Sequence, residues 1–190
     1  DGELLVRAGG RYAFAVGSDH NFQALRTLHS RLGSGQAAAL QGDLRCLPFR
    51  DQSFDVVCCL ETLEHVEGEE AAIAELKRVL KNEGTLIVSV PIEIGFTVLV
   101  KQSAAKIFFG GYRGSYTWKE LWHAFRGNLD RVPRTSISLH KGYDYRQTIA
   151  RIRRHFVSLQ ITGLPFKPLG RFFNTQILLV ARDKIHRPPD

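Results

Sequence analysis

The chain has 190 residues, 44% hydrophobic and 24% charged, a balance that lets one compact domain bury a core. Its net charge is +7, but residues 1–100 hold 9 Lys/Arg and 14 Asp/Glu while residues 101–190 hold 17 and 5, a net +12. That half either meets an anionic partner or is a solvated basic surface. No apolar run approaches the roughly 20 residues of a membrane-spanning helix, and no secretory signal opens the chain, so a soluble, cytoplasmic protein is expected.

Leu4 to Val6 read as a short helix that stops at Gly9 and Gly10, and a strand follows through Tyr12 to Val16. A helix is expected from about Phe22 to Leu32, with Phe22, Leu25, Leu28 and Leu32 on one face and Gly33 as its stop. Ala38 to Gln41 is a short strand and Phe54 to Cys59 a fully apolar one. Ala71 to Leu80 is a helix with Ile73, Leu76 and Leu80 inward, and Thr85 to Val90 is a strand ended by Pro91. From Gly95 to Leu139 the rhythm breaks, which reads as an insertion or substrate lid within a single domain spanning residues 1–190. A helix over 145–155, a strand over 156–162 and a last strand over 176–181 close the chain, the final pair antiparallel. Apolar strands alternating with helices predict a doubly wound, mostly parallel α/β sheet covered on both faces.

In such a sheet a ligand binds beyond the carboxyl ends of the strands, where Asp19, Asp43 and the segment from Leu60 to His65 fall. Asp19, in AVGSDHN, suits two ribose hydroxyls or caps the next helix. Asp43, in GDLRCLPF, suits an adenine amino group with the Leu44 amide beside it, or forms a turn. The three cysteines, Cys46, Cys58 and Cys59, suit neither a disulfide framework nor a CxxC metal pair.

The run FRDQSFDVVCCLETLEHV followed by AELKRVLKNEGTLIVSVP resembles the motifs of class I S-adenosylmethionine-dependent methyltransferases of the small-molecule, methyltransferase-11-like type. The resemblance covers about residues 1–92 well and the final helix and strands in outline. It implies a Rossmann-like fold, S-adenosylmethionine as cofactor, and Gly2, Asp19, His20, Asp43, Leu44 and Leu60 as its contacts. It further implies methyl transfer to a small-molecule acceptor, with His65 and His140 as candidate bases. The family's first strand and most of its glycine-rich loop have no counterpart here, Asp1 and Gly2 being at most the tail of that loop. With no methionine in the composition, the sequence reads as a fragment or a processed chain. Loss of that central strand would leave apolar strand edges unpaired. The family's Pro-Gly-Gly turn appears as Asn82, Glu83 and Gly84, with Gly84 expected to supply a positive φ.

Glu61, Glu64 and His65 form an ExxEH pattern. If the segment is helical they share a face, which gathers two carboxylates and an imidazole around a divalent cation. Ubiquinone-biosynthesis O-methyltransferases and small-RNA 2′-O-methyltransferases have a similar pattern with a further histidine downstream, for which His140 is the candidate. The bland reading is a helix start beside the cofactor pocket. In the insertion, Phe96, Leu99, Val100, Ile107 and Phe108 line one face with Lys101 and Lys106 beside it. That face is an amphipathic lid, a contact with anionic lipid or a membrane surface, or a core helix. Tyr116, Trp118 and Trp122 suit stacking or core packing, and no motif names a nucleic acid. A cofactor-poor remnant that binds or scaffolds through its basic half is the alternative to the enzyme.

Overall fold

The computed structural model describes residues 2–9, 11–31, 37–109, 116–134, 140–166 and 173–183, without the side chains at 105, 106, 108 and 109. Leu32 and Gly33, expected to end a helix, and Phe108 and Lys106, expected on the lid face, fall outside that description. The chain divides into two compact units, Asp1–Pro48 and Phe49–Asp190.

The first unit contains α1 (Glu3–Arg7), β1 (Ala15–Asp19), α2 (Phe22–Arg31) and β2 (Ala37–Gln41). β1 and β2 pair in parallel, with Asp19 opposite Gln41, so both strands end at one rim. The strand expected over 12–16 begins three residues later. Tyr12 instead donates its hydroxyl to the Leu5 carbonyl at 3.3 Å. α2 is started by Asn21, whose side chain accepts from the Gln23 amide at 2.9 Å, the usual satisfaction of an orphan donor at a helix start. It buries Leu25 and Leu28, whereas Phe22, expected beside them, is 59% exposed. At Gly17 an added Cβ would come within 2.4 Å of Leu28 Cδ2, so glycine is what lets α2 lie close on the sheet.

The second unit contains β3 (Phe54–Leu60), α3 (Glu69–Val79), β4 (Leu80–Pro91), α4 (Phe96–Phe109), α5 (Trp118–Phe125), α6 (Tyr145–His155), β5 (Ser158–Leu164) and β6 (Gln176–Arg182). Its four-stranded sheet runs β3-β4-β6-β5. β3 and β4 are parallel, and β6 is antiparallel to both β4 and β5. The antiparallel final pair is as expected. Leu76, Val79, Leu86, Val88, Ile152, Ile177 and Leu179 make its centre, each almost fully buried.

β3 departs from the expectation of a strand buried on both faces. Cys59 is buried, but Val56, Cys58 and Leu60 alternate with it on an exposed face. The pairs Val56–Val57 and Cys58–Cys59 hide this alternation, because each puts the same letter on both faces of the strand. Among the described residues no strand pairs with β3 on the side away from β4.

β4 starts earlier than expected, at Leu80, with a register irregularity between its pairings to Phe54 and Val56. Gly84 lies inside this strand and is not among the positive-φ glycines. Its role is close approach, since a Cβ would fall 2.6 Å from Leu80 Cδ1 and 2.9 Å from the Lys81 carbonyl oxygen.

The segment after β4 packs as its own helical layer. Thr117 and Glu120 form a reciprocal capping box at the start of α5. Val98, Tyr116, Leu121, Ala124, Leu129 and Val132 make a separate buried cluster. α4 turns Val98 and Gln102 inward and packs Leu99 against that cluster, while Phe96, Val100 and Ile107 are exposed, so of the apolar face read from the sequence Leu99 packs inward and these three face outward. Trp118 and Trp122 are exposed as well, whereas Tyr116 is buried. Among the described residues no helix is long and apolar enough to cross a membrane.

Candidate active site

At the rim of the first unit, Asp19 ends β1. One carboxylate oxygen, Oδ1, accepts from the Asn21 amide at 2.9 Å and lies 3.5 Å from His20 Nδ1, with the side chain 41% exposed. The other oxygen, Oδ2, accepts no hydrogen bond among the described residues. His20 is exposed, and its carbonyl accepts from Gln41 Nε2 at 2.9 Å, which ties the ends of the two strands together. The chain then turns through an isolated bridge between Asp43 and Cys46.

Asp43 is occupied by its own neighbour. Arg45 donates from Nε and Nη2 to the two carboxylate oxygens at 3.0 and 2.7 Å, and the Arg45 amide donates at 2.8 Å. These bonds hold the Asp43 carboxyl down at about 2, against an ordinary 3.8. The Leu44 amide donates to no group among the described residues. Gly2 takes a left-handed φ of 71° at the start of α1, where a Cβ would strike Leu28.

In the second unit the carboxyl end of β3 is Leu60, which is exposed. Glu61 follows with a left-handed φ of 48°, a conformation that is rare outside glycine and asparagine. Its amide donates to the Ser89 carbonyl at 3.0 Å, and Ser89 Oγ donates to Glu61 Oε1 at 2.9 Å. The chain then forms a single 3-10 turn, Leu63–His65. Because Glu61 lies before that turn, Glu61, Glu64 and His65 do not share a helical face, and the carboxylate of Glu61 goes to Ser89.

The turn buries Glu64 completely and half-exposes His65. His140, 75 positions later, arrives beside them: His65 Nε2 and His140 Nε2 are 3.3 Å apart. Glu64 Oε1 is 3.8 Å from each imidazole, too far for a hydrogen bond. Neither Glu64 oxygen has a hydrogen-bond partner among the described residues. Its backbone carbonyl accepts from Arg134 Nη2. Burial pushes the Glu64 carboxyl up to about 7, and burial lowers the His140 imidazole below its ordinary value.

A group that sequence reasoning missed stands nearby. Glu93, two residues past β4, is 2% exposed. Its Oε2 accepts from the Tyr116 hydroxyl at 2.9 Å and its Oε1 from Lys101 Nζ at 3.4 Å. The same Tyr116 oxygen accepts from the Gly142 amide at 3.4 Å, which links β4 to the loop that carries His140. The available signal was one acidic residue between two isoleucines in PIEIG.

Residues 2–88 match the family described as a methyltransferase domain. A solved Bacillus halodurans structure assigned to the methyltransferases shares the fold at a TM-score of 0.63 and 14% identity, over 97% of this chain and 89% of that one. The chain resembles the class I methyltransferases and shares their fold. Two curated relatives are similar over part of this chain. Demethylmenaquinone methyltransferase from Thermobifida fusca is 35% identical over 89 residues, 45% of this chain and 36% of its own. A Mycobacterium tuberculosis protein, named as a probable S-adenosylmethionine-dependent methyltransferase, is 32% identical over 96 residues, 50% of this chain and 34% of its own. The chain thus spans about a third of the length of these methyltransferases. The mixed α/β sheet with its antiparallel last strand is the Rossmann-like arrangement that the sequence predicted.

Proposed function

We propose that the protein transfers a methyl group from S-adenosylmethionine to a small-molecule acceptor. The observation that supports this most is the rim of the first unit, where Asp19 keeps one carboxylate oxygen open at a strand end. An ionised carboxylate accepts from two vicinal hydroxyls, which is what a ribose presents. The Leu44 amide is an open donor for the adenine ring, while Asp43 has to exchange Arg45 for the base before it can accept from it. Held there, S-adenosylmethionine would supply an electrophilic sulfonium methyl carbon for an acceptor lone pair, with the thioether as leaving group. With no cation bound between them, His65 and His140 are candidate bases for an acceptor that must lose a proton, and burial, which lowers the His140 imidazole, favours its neutral form.

Calorimetry with S-adenosylhomocysteine, the demethylated product, tests the Asp19 assignment. Asp19→Ala should weaken binding by about 1–3 kcal/mol, the usual loss for a charged hydrogen bond. Equal affinity in the variant would remove Asp19 from the site.

A second feature supports an acceptor or partner with an anionic, apolar surface. Phe96, Val100 and Ile107 fall within about 40° of one another around α4, all exposed. Trp118 and Trp122 are exposed one turn apart on α5, with the Arg126 guanidinium 5.7 Å from the Trp122 ring. Exposed tryptophans beside cations suit the interface of an anionic membrane. The name of the Thermobifida fusca relative supports a quinone-type acceptor. Sedimentation with vesicles containing phosphatidylserine should retain the protein at low salt, and Trp118→Ala with Trp122→Ala should abolish retention. Retention unchanged in the double variant would leave only non-specific charge.

A further inference from the structure

We infer that Glu64, His65 and His140 form a binding site for one divalent cation of the zinc class, with an open position for an oxygen ligand. The inference rests on the second unit alone and does not require the methyl-transfer reading.

The two imidazoles by themselves have a simple explanation. Neutral rings 3.3 Å apart share a hydrogen bond, one as donor and one as acceptor. That bond leaves Glu64 unexplained. Its carboxylate is fully buried, both oxygens lack a hydrogen bond among the described residues, and Oε1 points at the two ring nitrogens from 3.8 Å. Buried carboxylates are ordinarily paired or bonded, because desolvating one without a partner is expensive. Arg134 Nη2 donates to the Glu64 backbone carbonyl and not to its carboxylate.

The spacing resolves the difficulty. A triangle with edges of 3.3, 3.8 and 3.8 Å has a centre about 2.1 Å from each corner, the length of a zinc–imidazole or zinc–carboxylate bond. A cation at that point would satisfy Glu64 and replace the contact between the rings with two metal–nitrogen bonds. Two nitrogens and one carboxylate oxygen suit zinc better than magnesium, which prefers an all-oxygen octahedron. Three protein ligands leave a fourth position free on the side toward which the cation is drawn out of their plane, the pattern of a catalytic rather than a structural zinc site. The ligand expected there is a water or an acceptor hydroxyl, whose proton a cation makes easier to remove. Glu61 is not a member, since its carboxylate is bound to Ser89.

The experiment uses chelator-stripped protein, with neither cofactor nor acceptor, titrated with Zn²⁺ in a calorimeter and with Co²⁺ as a visible-absorption probe. One equivalent should bind, with the intense visible bands of four-coordinate cobalt. His140→Ala and the isosteric Glu64→Gln should each weaken Zn²⁺ binding on the order of tenfold or more. Circular dichroism of each variant establishes that it is folded before it is scored. Absence of one-to-one binding by the wild-type chain, or an affinity unchanged in folded Glu64→Gln and His140→Ala, would overturn the inference. Because no methyl transfer is read, its failure would leave the proposed activity standing, and the reverse.

Discussion

Replacing Leu179 with alanine should lower the unfolding free energy of the protein by about 2–5 kcal/mol, the usual range for a large-to-small change in a core. Leu179 is 1% exposed and lies on β6, an inner strand that pairs with Val88 of β4 on one side and Ile161 of β5 on the other. A cavity there is bounded by sheet on both sides, and strands held by two ladders have little freedom to collapse into it. Val157, also aliphatic and only just before β5, is 69% exposed, so Val157→Ala should change stability by less than about 0.5 kcal/mol. Denaturant unfolding of the two variants gives the comparison directly. Equal losses would mean that β6 is not the centre of the second unit.

The same contrast explains how much of the fold was legible in the sequence. Helices α3 and α6 and the last strand stood out because their apolar periodicity is local and strong. Ile73 and Leu76 are buried as the spacing required, whereas Leu80, also buried, opens β4 instead of closing the helix. Periodicity says which residues share a face but not which face the rest of the molecule covers. For α4 that distinction decided the outcome, because Phe96, Val100 and Ile107 form a stripe and the stripe faces outward. β3 posed the same problem in another form, since both of its faces carry apolar letters and only one is buried.

The candidate site was legible in its letters and not in its geometry. Glu64, His65 and His140 were singled out from the ExxEH pattern and a distant histidine, but a shared helical face was the wrong reason for grouping them. A left-handed φ at Glu61 ends that face before it starts, and a backbone angle at one non-glycine residue has no compositional signal. Gly84 departs in the opposite direction. The sequence suggests a positive φ there, whereas the constraint is the nearness of Leu80 and the Lys81 carbonyl, contacts made only once the strand has formed.

Glu93→Leu should destabilise the protein by more than Glu93→Gln does, with a loss for the leucine variant of about 1–3 kcal/mol, the cost of an orphaned buried hydroxyl. The Tyr116 ring is 1% exposed, and its hydroxyl spends its only proton on Glu93 Oε2. Leucine takes away the acceptor and leaves that proton in the core, whereas glutamine keeps a carbonyl oxygen able to receive it. Lys101 contributes less to the difference, because its side chain is 54% exposed and water can replace the ion pair. The consequence extends beyond stability, since the same Tyr116 oxygen accepts from the Gly142 amide. Gly142 has a φ of 75°, and a Cβ there would meet the Val132 carbonyl oxygen at 2.8 Å, so this turn has little room to adopt another shape. With Tyr116 unanchored, the amide of Gly142 and the segment leading back to His140 should exchange hydrogen faster in Glu93→Leu than in Glu93→Gln. Exchange rates that rise equally throughout the second unit would show a general loss of stability and no specific tie between Glu93 and the histidine loop.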